Sequence, residues 1–286
     1  MNEQMSFDEM NLLRRKCFFM YLSGGAVIAF SILLAVFTMA MVFCILGILA
    51  GVIIIVIASK KKKEFNKYYK NNIVKRLLEQ HFQNVDYRWE EGFSSQFVYS
   101  MNLISRGNVY HSEDYLRAKY KGINFSQADV TIEEETTDSE GNTSTTTYFK
   151  GRIIAIEYPK ETTYVRLTSK KFHFAQGLRK RDYPEVDTEN VSFNKAFKIV
   201  AESPVDAFYL LTPPMMEKLQ YIISRYGNLG LCCYNHMLYM AINTKRNAFD
   251  TGVGINMDYN KEMTNLTEDI ALIENLIDII YSQSAN

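Results

Sequence analysis

Residues 17–59 read CFFMYLSGGAVIAFSILLAVFTMAMVFCILGILAGVIIIVIAS, and this stretch decides the architecture. It holds no charged side chain and almost nothing polar. A helix needs about 20 apolar residues to cross roughly 30 Å of bilayer hydrocarbon. The 43 residues here suffice for two crossings and a minimal turn. A single helix of that length would leave a turn or more of bare apolar surface in water on each side. The spans are predicted near 18–37 and 41–59, with the turn at Thr38, Met39 and Ala40. That turn lacks the Gly, Pro or Asn that usually punctuates one. A cleavable signal peptide does not fit, because its apolar core runs to about 7–15 residues.

The charges flanking this run predict an orientation. Arg14, Arg15 and Lys16 precede it, and Lys60, Lys61, Lys62 and Lys63 follow, with Lys67, Lys70, Lys75 and Arg76 close behind. Basic residues stay on the cytoplasmic side. Both ends are basic, so the number of crossings is even. The expectation is a multi-pass cell-membrane protein with both termini cytoplasmic. It is organised as a cytoplasmic segment 1–16, a transmembrane hairpin 17–59 and a cytoplasmic α+β domain 60–286. The lysine run reads as a solvated helix start that can also meet anionic lipid headgroups. Gly25 with Ala29 and Gly47 with Gly51 form small-xxx-small pairs. Such pairs mark either the contact between the two spans or a contact within a homo-oligomer. No ionisable residue lies inside the spans, which argues against an ion or proton path through this hairpin alone.

The formal net charge is zero, so no general attraction to nucleic acid is implied. With 19 Tyr and 18 Phe, the part outside the membrane can bury a sizeable core. Residues 60–83 carry Phe65, Tyr69, Ile73, Leu77 and Leu78 at helical spacing, and this helix can continue the second span. Ser94 to Ile104 predicts a short helix. Tyr115–Tyr120 alternates and ends at a Lys121-Gly122 turn. Ala128–Thr137 and Thr143–Tyr158 predict two long strands around a polar tip at 138–142, and Tyr164–Thr168 a further short strand. Thr212 and Pro213 open a helix whose apolar face is Met216, Leu219, Ile223 and Tyr226, and Gly227 closes it. A hairpin is expected around Asn235-His236. A last helix is expected over about 264–281, with Asn265 and Glu268 as a capping box and Leu266, Ile270, Ile273, Ile277 and Ile280 as its buried stripe.

Lys150-Gly151 within FKGRIIAIEYPK, then FNKAFKIVAESPVDAFYLLTPPMMEKL, then the LYMAI strand carry a resemblance. In this order they resemble a bacterial membrane-anchored family, domain of unknown function 3137, some members of which bear the label galanin. Leu210 to Leu219 is the most specific part. The resemblance implies two transmembrane helices ahead of an α+β cytoplasmic domain. It brings no catalytic residues. By association alone it suggests a LemA-like membrane protein as partner.

The chemistry-bearing residues form no strong constellation. There is no phosphate-binding glycine loop, HExxH or paired CxxC. His81, His111, His173 and His236 lack ligand spacing, and no metal or other cofactor is expected. Cys17, Cys44, Cys232 and Cys233 form no disulfide framework. Cys232 or Cys233 with His236, around the predicted hairpin turn, offers a nucleophile–base pair in principle, but at least one of the two thiols is expected to face the core, so none is expected. Glu133, Glu134 and Glu135 read as a solvated strand face, and Arg179, Lys180 and Arg181 as a surface turn. Trp89, Tyr87 and Phe93 read as core rather than as a groove. The expectation is a membrane-tethered binding or scaffolding protein with no catalytic site. The alternative is a membrane-bound hydrolase or transferase, which requires a pocket with convergent ionisable groups.

Overall fold

The structure is a computed structural model and describes residues 7–38, 41–170, 172, 183–250 and 258–284. The chain forms two compact units, Met1–Arg76 with Asp250–Thr267, and Leu77–Phe249 with Glu268–Asn286.

The first unit is built on α1 (Phe7–Thr38) and α2 (Met41–Tyr69). Both are long and apolar enough to cross a membrane. The expected turn falls on the last residue of α1 and on Met39 and Ala40, which lie outside the described residues. The helices run antiparallel, with contacts that descend α1 as they climb α2. Tyr21 Oη lies 2.9 Å from Ser59 Oγ. Gly24 faces Gly51 and Ile55, Ile28 faces Gly51, and Ser31 faces Gly47. Their other faces are apolar yet exposed, including Phe30, Val36, Phe43 and Ile45. Apolar side chains turned outward along a whole helix suit lipid rather than water.

Past the apolar stretch, α2 continues through Lys60–Lys63 as expected. The helix then widens into a π turn, Lys70–Val74. Lys70 is buried there, with its Nζ 2.7 Å from Asp250 Oδ1.

The second unit is α+β, with an all-antiparallel sheet of six strands. In chain order its elements are α3 (Lys75–His81, shared with the first unit at its start), β1 (Gln83–Arg88), α4 (Ser95–Ser100), β2 (Val109–Tyr120), β3 (Ile123–Thr137) and β4 (Thr143–Ser169). They continue with α5 (Val191–Ala196), β5 (Phe197–Ala201), α6 (Pro204–Leu210), α7 (Pro213–Arg225), β6 (Leu229–Ile242) and α8 (Tyr259–Ser284), whose first residues belong to the other unit. The strands β1 to β5 pair in sequence order, and β6 pairs along β4. Short connections explain the β2–β3 and β3–β4 pairings. Lys121 and Gly122 both take positive φ between the paired ends Tyr120 and Ile123, the left-handed geometry that matches strand twist in a two-residue turn. The polar tip after Thr137 is tied by Asp138, whose Oδ1 accepts from the backbone N–H of Glu140 and Asn142 at 2.9 and 2.8 Å.

Four expectations change. Tyr164–Thr168 is not a separate strand but the end of β4. Leu229–Ile242 is one bent strand, not a hairpin, and Asn235 at φ 55° marks the bend. The last helix begins at Tyr259, where Asp258 Oδ1 accepts from the backbone N–H of Asn260 and Lys261. Asn265 is therefore interior, and Glu268 pairs with Arg225 at 2.7 Å instead of capping. The helix at Ser94 exists but stops at Ser100. The stripe Leu266, Ile270, Ile273, Ile277 and Ile280 is buried as expected. Thr212 occupies the N-cap position of α7 without a side-chain capping bond.

Candidate functional site

The strand β4 changes neighbours along its length. Its first part pairs with β3 up to Ile156, and its last part pairs with β5 from Val165 onward. Pro159 falls between the two, where a missing N–H costs no ladder bond on that side. Opposite β6, β4 advances from Glu157 to Thr162 while β6 moves only from Met237 to Asn235. The surplus residues bulge, and a bulge re-aims the side chains that follow it. Asp206 on α6 holds the new course. Its Oδ2 accepts from Thr163 N at 2.9 Å and from Thr163 Oγ1 at 2.5 Å.

The bulge opens a groove of about 1080 Å³. Tyr164, Tyr183 and Tyr234 line it together with Thr162, Thr163 and Asn235. Arg106 and Arg166 bring positive charge, and Glu161, Glu202 and Asp206 negative charge. The tyrosines belong to a run of rings in series. Centroid distances are 5.6 Å for Tyr183–Tyr164, 6.1 Å for Tyr164–Tyr234 and 5.3 Å for Tyr234–Tyr239. Tyr239 meets Phe97 at 6.1 Å, and Phe97 meets Phe93 of the core at 4.8 Å. Rings locked in series offer a rigid amphipathic surface that loses little entropy on binding. Burial pushes the Tyr234 phenol above its ordinary range, so it stays a neutral donor.

A second polar group is closed off from solvent. Arg152, Asp269, Asp129, Asp114 and Gln127 are all buried. Arg152 Nη2 lies 2.9 Å from Asp269 Oδ1, and its Nη1 donates to the Asp269 carbonyl at 2.8 Å. Asp129 accepts from Ala248 N–H, and Tyr87 Oη donates to Asp114 Oδ1 at 2.5 Å. The Arg152 and Asp129 bonds fasten α8 and the 246–249 segment to the sheet, and Tyr87–Asp114 ties β1 to β2, a structural duty.

The residues singled out from sequence are scattered. Cys232 and Cys233 are both buried. Cys233 Sγ is 3.3 Å from Thr162 Oγ1, and Cys232 Sγ is 3.5 Å from the Met101 carbonyl. Burial pushes the Cys233 thiol up to about 11, and His236 is exposed, so no nucleophile–base pair forms. His81 pairs with Glu274 at 2.9 Å. His173 and Arg179, Lys180 and Arg181 lie outside the described residues. Glu133 accepts from Thr147 Oγ1 at 2.9 Å, and Glu134 from Asn108 N at 3.0 Å, within the sheet. Tyr87 and Phe93 are buried and Trp89 half-buried. Among the described residues, no group of three or more His, Cys, Asp or Glu is placed to hold a metal ion.

Of the small residues in the hairpin, Gly47 and Gly51 lie on the helix contact. Gly25 and Ala29 are exposed, and a Cβ at Gly25 would meet nothing within 4 Å. The contact row of α1 is Gly24, Ile28 and Ser31. The seven flanking cations occupy the Lys60 end of α2 and the adjoining part of α1. Arg14 is buried, 3.9 Å from Glu262, and Arg15 and Lys16 are exposed.

Residues 147–281 match the model of a family described as Protein of unknown function (DUF3137). The matched stretch contains the β4 bulge, the groove tyrosines Tyr164, Tyr183 and Tyr234, and the Arg152–Asp269 pair. Its motif residue Gly151 has a visible reason. A Cβ there would run into the Ile242 carbonyl and lie 2.7 Å from Thr244 N. No curated protein matches the sequence. Among solved structures, the mycobacterial trehalose monomycolate transport factor A, TtfA, is similar at 12% identity and a TM-score of 0.36. The likeness covers 71% of this chain and 93% of that one.

Sequence reasoning missed the groove. Its lining comes from residues 100–106, 161–166, 183, 200–206 and 234–235, joined only by the sheet. One local signal was available. Pro159 inside an otherwise regular strand is a mark of an edge or a bulge.

Proposed function

We propose that this chain is a membrane-anchored binding module that holds a partner in the tyrosine-lined groove of its sheet domain. The observation that carries the reading is the row Tyr183–Tyr164–Tyr234, which lines a cavity of ligand size. Two long helices with outward apolar faces support the anchor. The basic residues at Arg14–Lys16 and Lys60–Lys63 support a hairpin with both ends in the cytoplasm. A mixed-charge rim around aromatic rings suits an extended polypeptide segment, which offers hydrogen-bonding groups and side chains together. A LemA-like membrane protein is one candidate partner, by association only.

A second reading has one observation in its favour. The groove gathers Glu161, Glu202 and Asp206 beside Arg106 and Arg166, the convergence that a hydrolase or transferase requires. Asp206, however, is occupied in holding Thr163.

The test is native-level purification of the full chain in detergent, with co-purifying proteins identified by mass spectrometry. A Tyr164→Ser/Tyr234→Ser variant should lose the partner while retaining the anchor. Recovery of the protein by itself from both preparations would sink the binding reading.

A further inference from the structure

The three cations Arg15, Lys16 and Lys61 differ from Arg14 and Lys70 of the same unit. Arg14 lies beside Glu262 at 3.9 Å, and Lys70 beside Asp250 at 2.7 Å. Among the described residues, no carboxylate pairs with Arg15, Lys16 or Lys61. All three line one cavity of about 590 Å³ between α1 and α2. The rest of its lining is Leu12, Phe19, Met20 and Ser23. On α1 these residues recur three and four apart, so they form a single stripe. From Arg15 to Ser23 the stripe runs roughly 12 Å along the helix axis. One end is charged and the other is apolar, and the apolar end points into the predicted span.

We infer that this groove is a binding site for one anionic phospholipid, with its phosphate held by Arg15, Lys16 and Lys61 and an acyl chain laid along Phe19, Met20 and Ser23. Guanidinium and ammonium groups donate several charge-assisted hydrogen bonds to phosphate oxygens. Cations at the bilayer surface attract anionic headgroups in any case. What distinguishes this site is that both helices contribute to it and that an apolar slot continues it. A free phosphate would satisfy the cations but leave the slot empty, so the lipid is the occupant that uses the whole cavity. The inference rests on the membrane-anchor reading.

The test uses the full chain in phosphatidylcholine nanodiscs with a small share of chain-spin-labelled phosphatidylglycerol or phosphatidylcholine. The expected result is a motionally restricted signal that favours the anionic probe by about five-fold or more, the scale of a single surface cation. Arg15→Gln/Lys16→Gln/Lys61→Gln should bring the two probes to parity. Lys62→Gln/Lys67→Gln/Arg76→Gln removes the same charge elsewhere and should keep the preference. Ser23→Trp fills the apolar end without changing charge and should weaken retention of both probes. Parity in the unmodified chain, equal loss in both triple variants, or displacement by millimolar inorganic phosphate alone would overturn the site. If the chain instead washes off bilayers in alkaline carbonate, the anchor reading fails first and takes the site with it.

Discussion

Arg152 on β4 and Asp269 on α8 meet as a buried ion pair, Nη2 to Oδ1 at 2.9 Å. Asp269 is shared, because Arg246 also reaches it, with Nη2 2.8 Å from Oδ1. The two partners are therefore not equivalent. Asp269→Ala strands the buried Arg152 guanidinium and should cost about 3–5 kcal/mol. Arg152→Met leaves Asp269 with Arg246 and should cost only about 1–2 kcal/mol. Urea unfolding followed by fluorescence of Trp89, the single tryptophan, measures both. Equal losses would show that the pair, rather than the stranded charge, dominates.

Asp129 predicts a pH dependence. Burial is the largest influence on its carboxyl and holds it well above the ordinary range, against the pull of Arg152. The guanidinium is already engaged with Asp269, and Asp114 adds like charge. The folded protein therefore keeps this proton longer than the unfolded chain does, and stability falls as pH rises. The contribution is complete below the unfolded value of about 4 and disappears as pH passes the raised folded value. Asp129→Asn keeps an acceptor for Ala248 N–H and removes the titration. Thermal midpoints in a pH series should show the variant gaining on the parent steadily above about pH 4. Parallel curves would refute the assignment.

The helix pair gives a sharper contrast. A Cβ at Gly51 would lie 2.8 Å from the Gly24 carbonyl, whereas one at Gly25 meets nothing. Gly51→Leu should force the helices apart, and Gly25→Leu should leave them in place. With Cys17 and Cys44 changed to Ser, the pair Tyr21→Cys/Ser59→Cys reports the spacing through its oxidation rate. That rate should fall strongly for Gly51→Leu alone. A similar fall for both would mean that Gly25 also lies in a contact, such as one between copies of the chain.

What the sequence revealed was local. The apolar run, the threonine-rich hairpin and the proline at the start of α7 each declare themselves within a dozen residues. The errors arose where a local signal was overruled at a distance. Asn235-His236 looks like a turn, and Asn235 does take positive φ, yet β4 bulges with it and the strand continues. Asn265 and Glu268 look like a capping box, yet Asp258 starts the helix nearly two turns earlier and Glu268 is used by Arg225. The small-residue spacing in α1 points to Gly25 and Ala29, but the contact runs through Gly24, Ile28 and Ser31, a row that the small-xxx-small pattern does not pick out.

The groove offers a prediction that needs no ligand. Asp206 is the only side chain seen to tie Thr163 among the described hydrogen bonds, through both its N–H and its Oγ1. The next residue, Tyr164, is held through its carbonyl by Glu202 N–H at 2.9 Å. Asp206→Ala should cost only about 1 kcal/mol of global stability, since the freed N–H can reach water. It should nevertheless release the bulge, because Pro159 and the gap between β3 and β5 leave little else to hold it. Hydrogen exchange should quicken at Thr163 and Glu202 and stay unchanged in the paired core of β3 and β4 around Ile153. Thr163→Val keeps the N–H bond and loses the hydroxyl, so it should fall between the two. Faster exchange spread over the whole sheet would mean that Asp206 supports the fold at large, and the groove would lose its claim to a dedicated clasp.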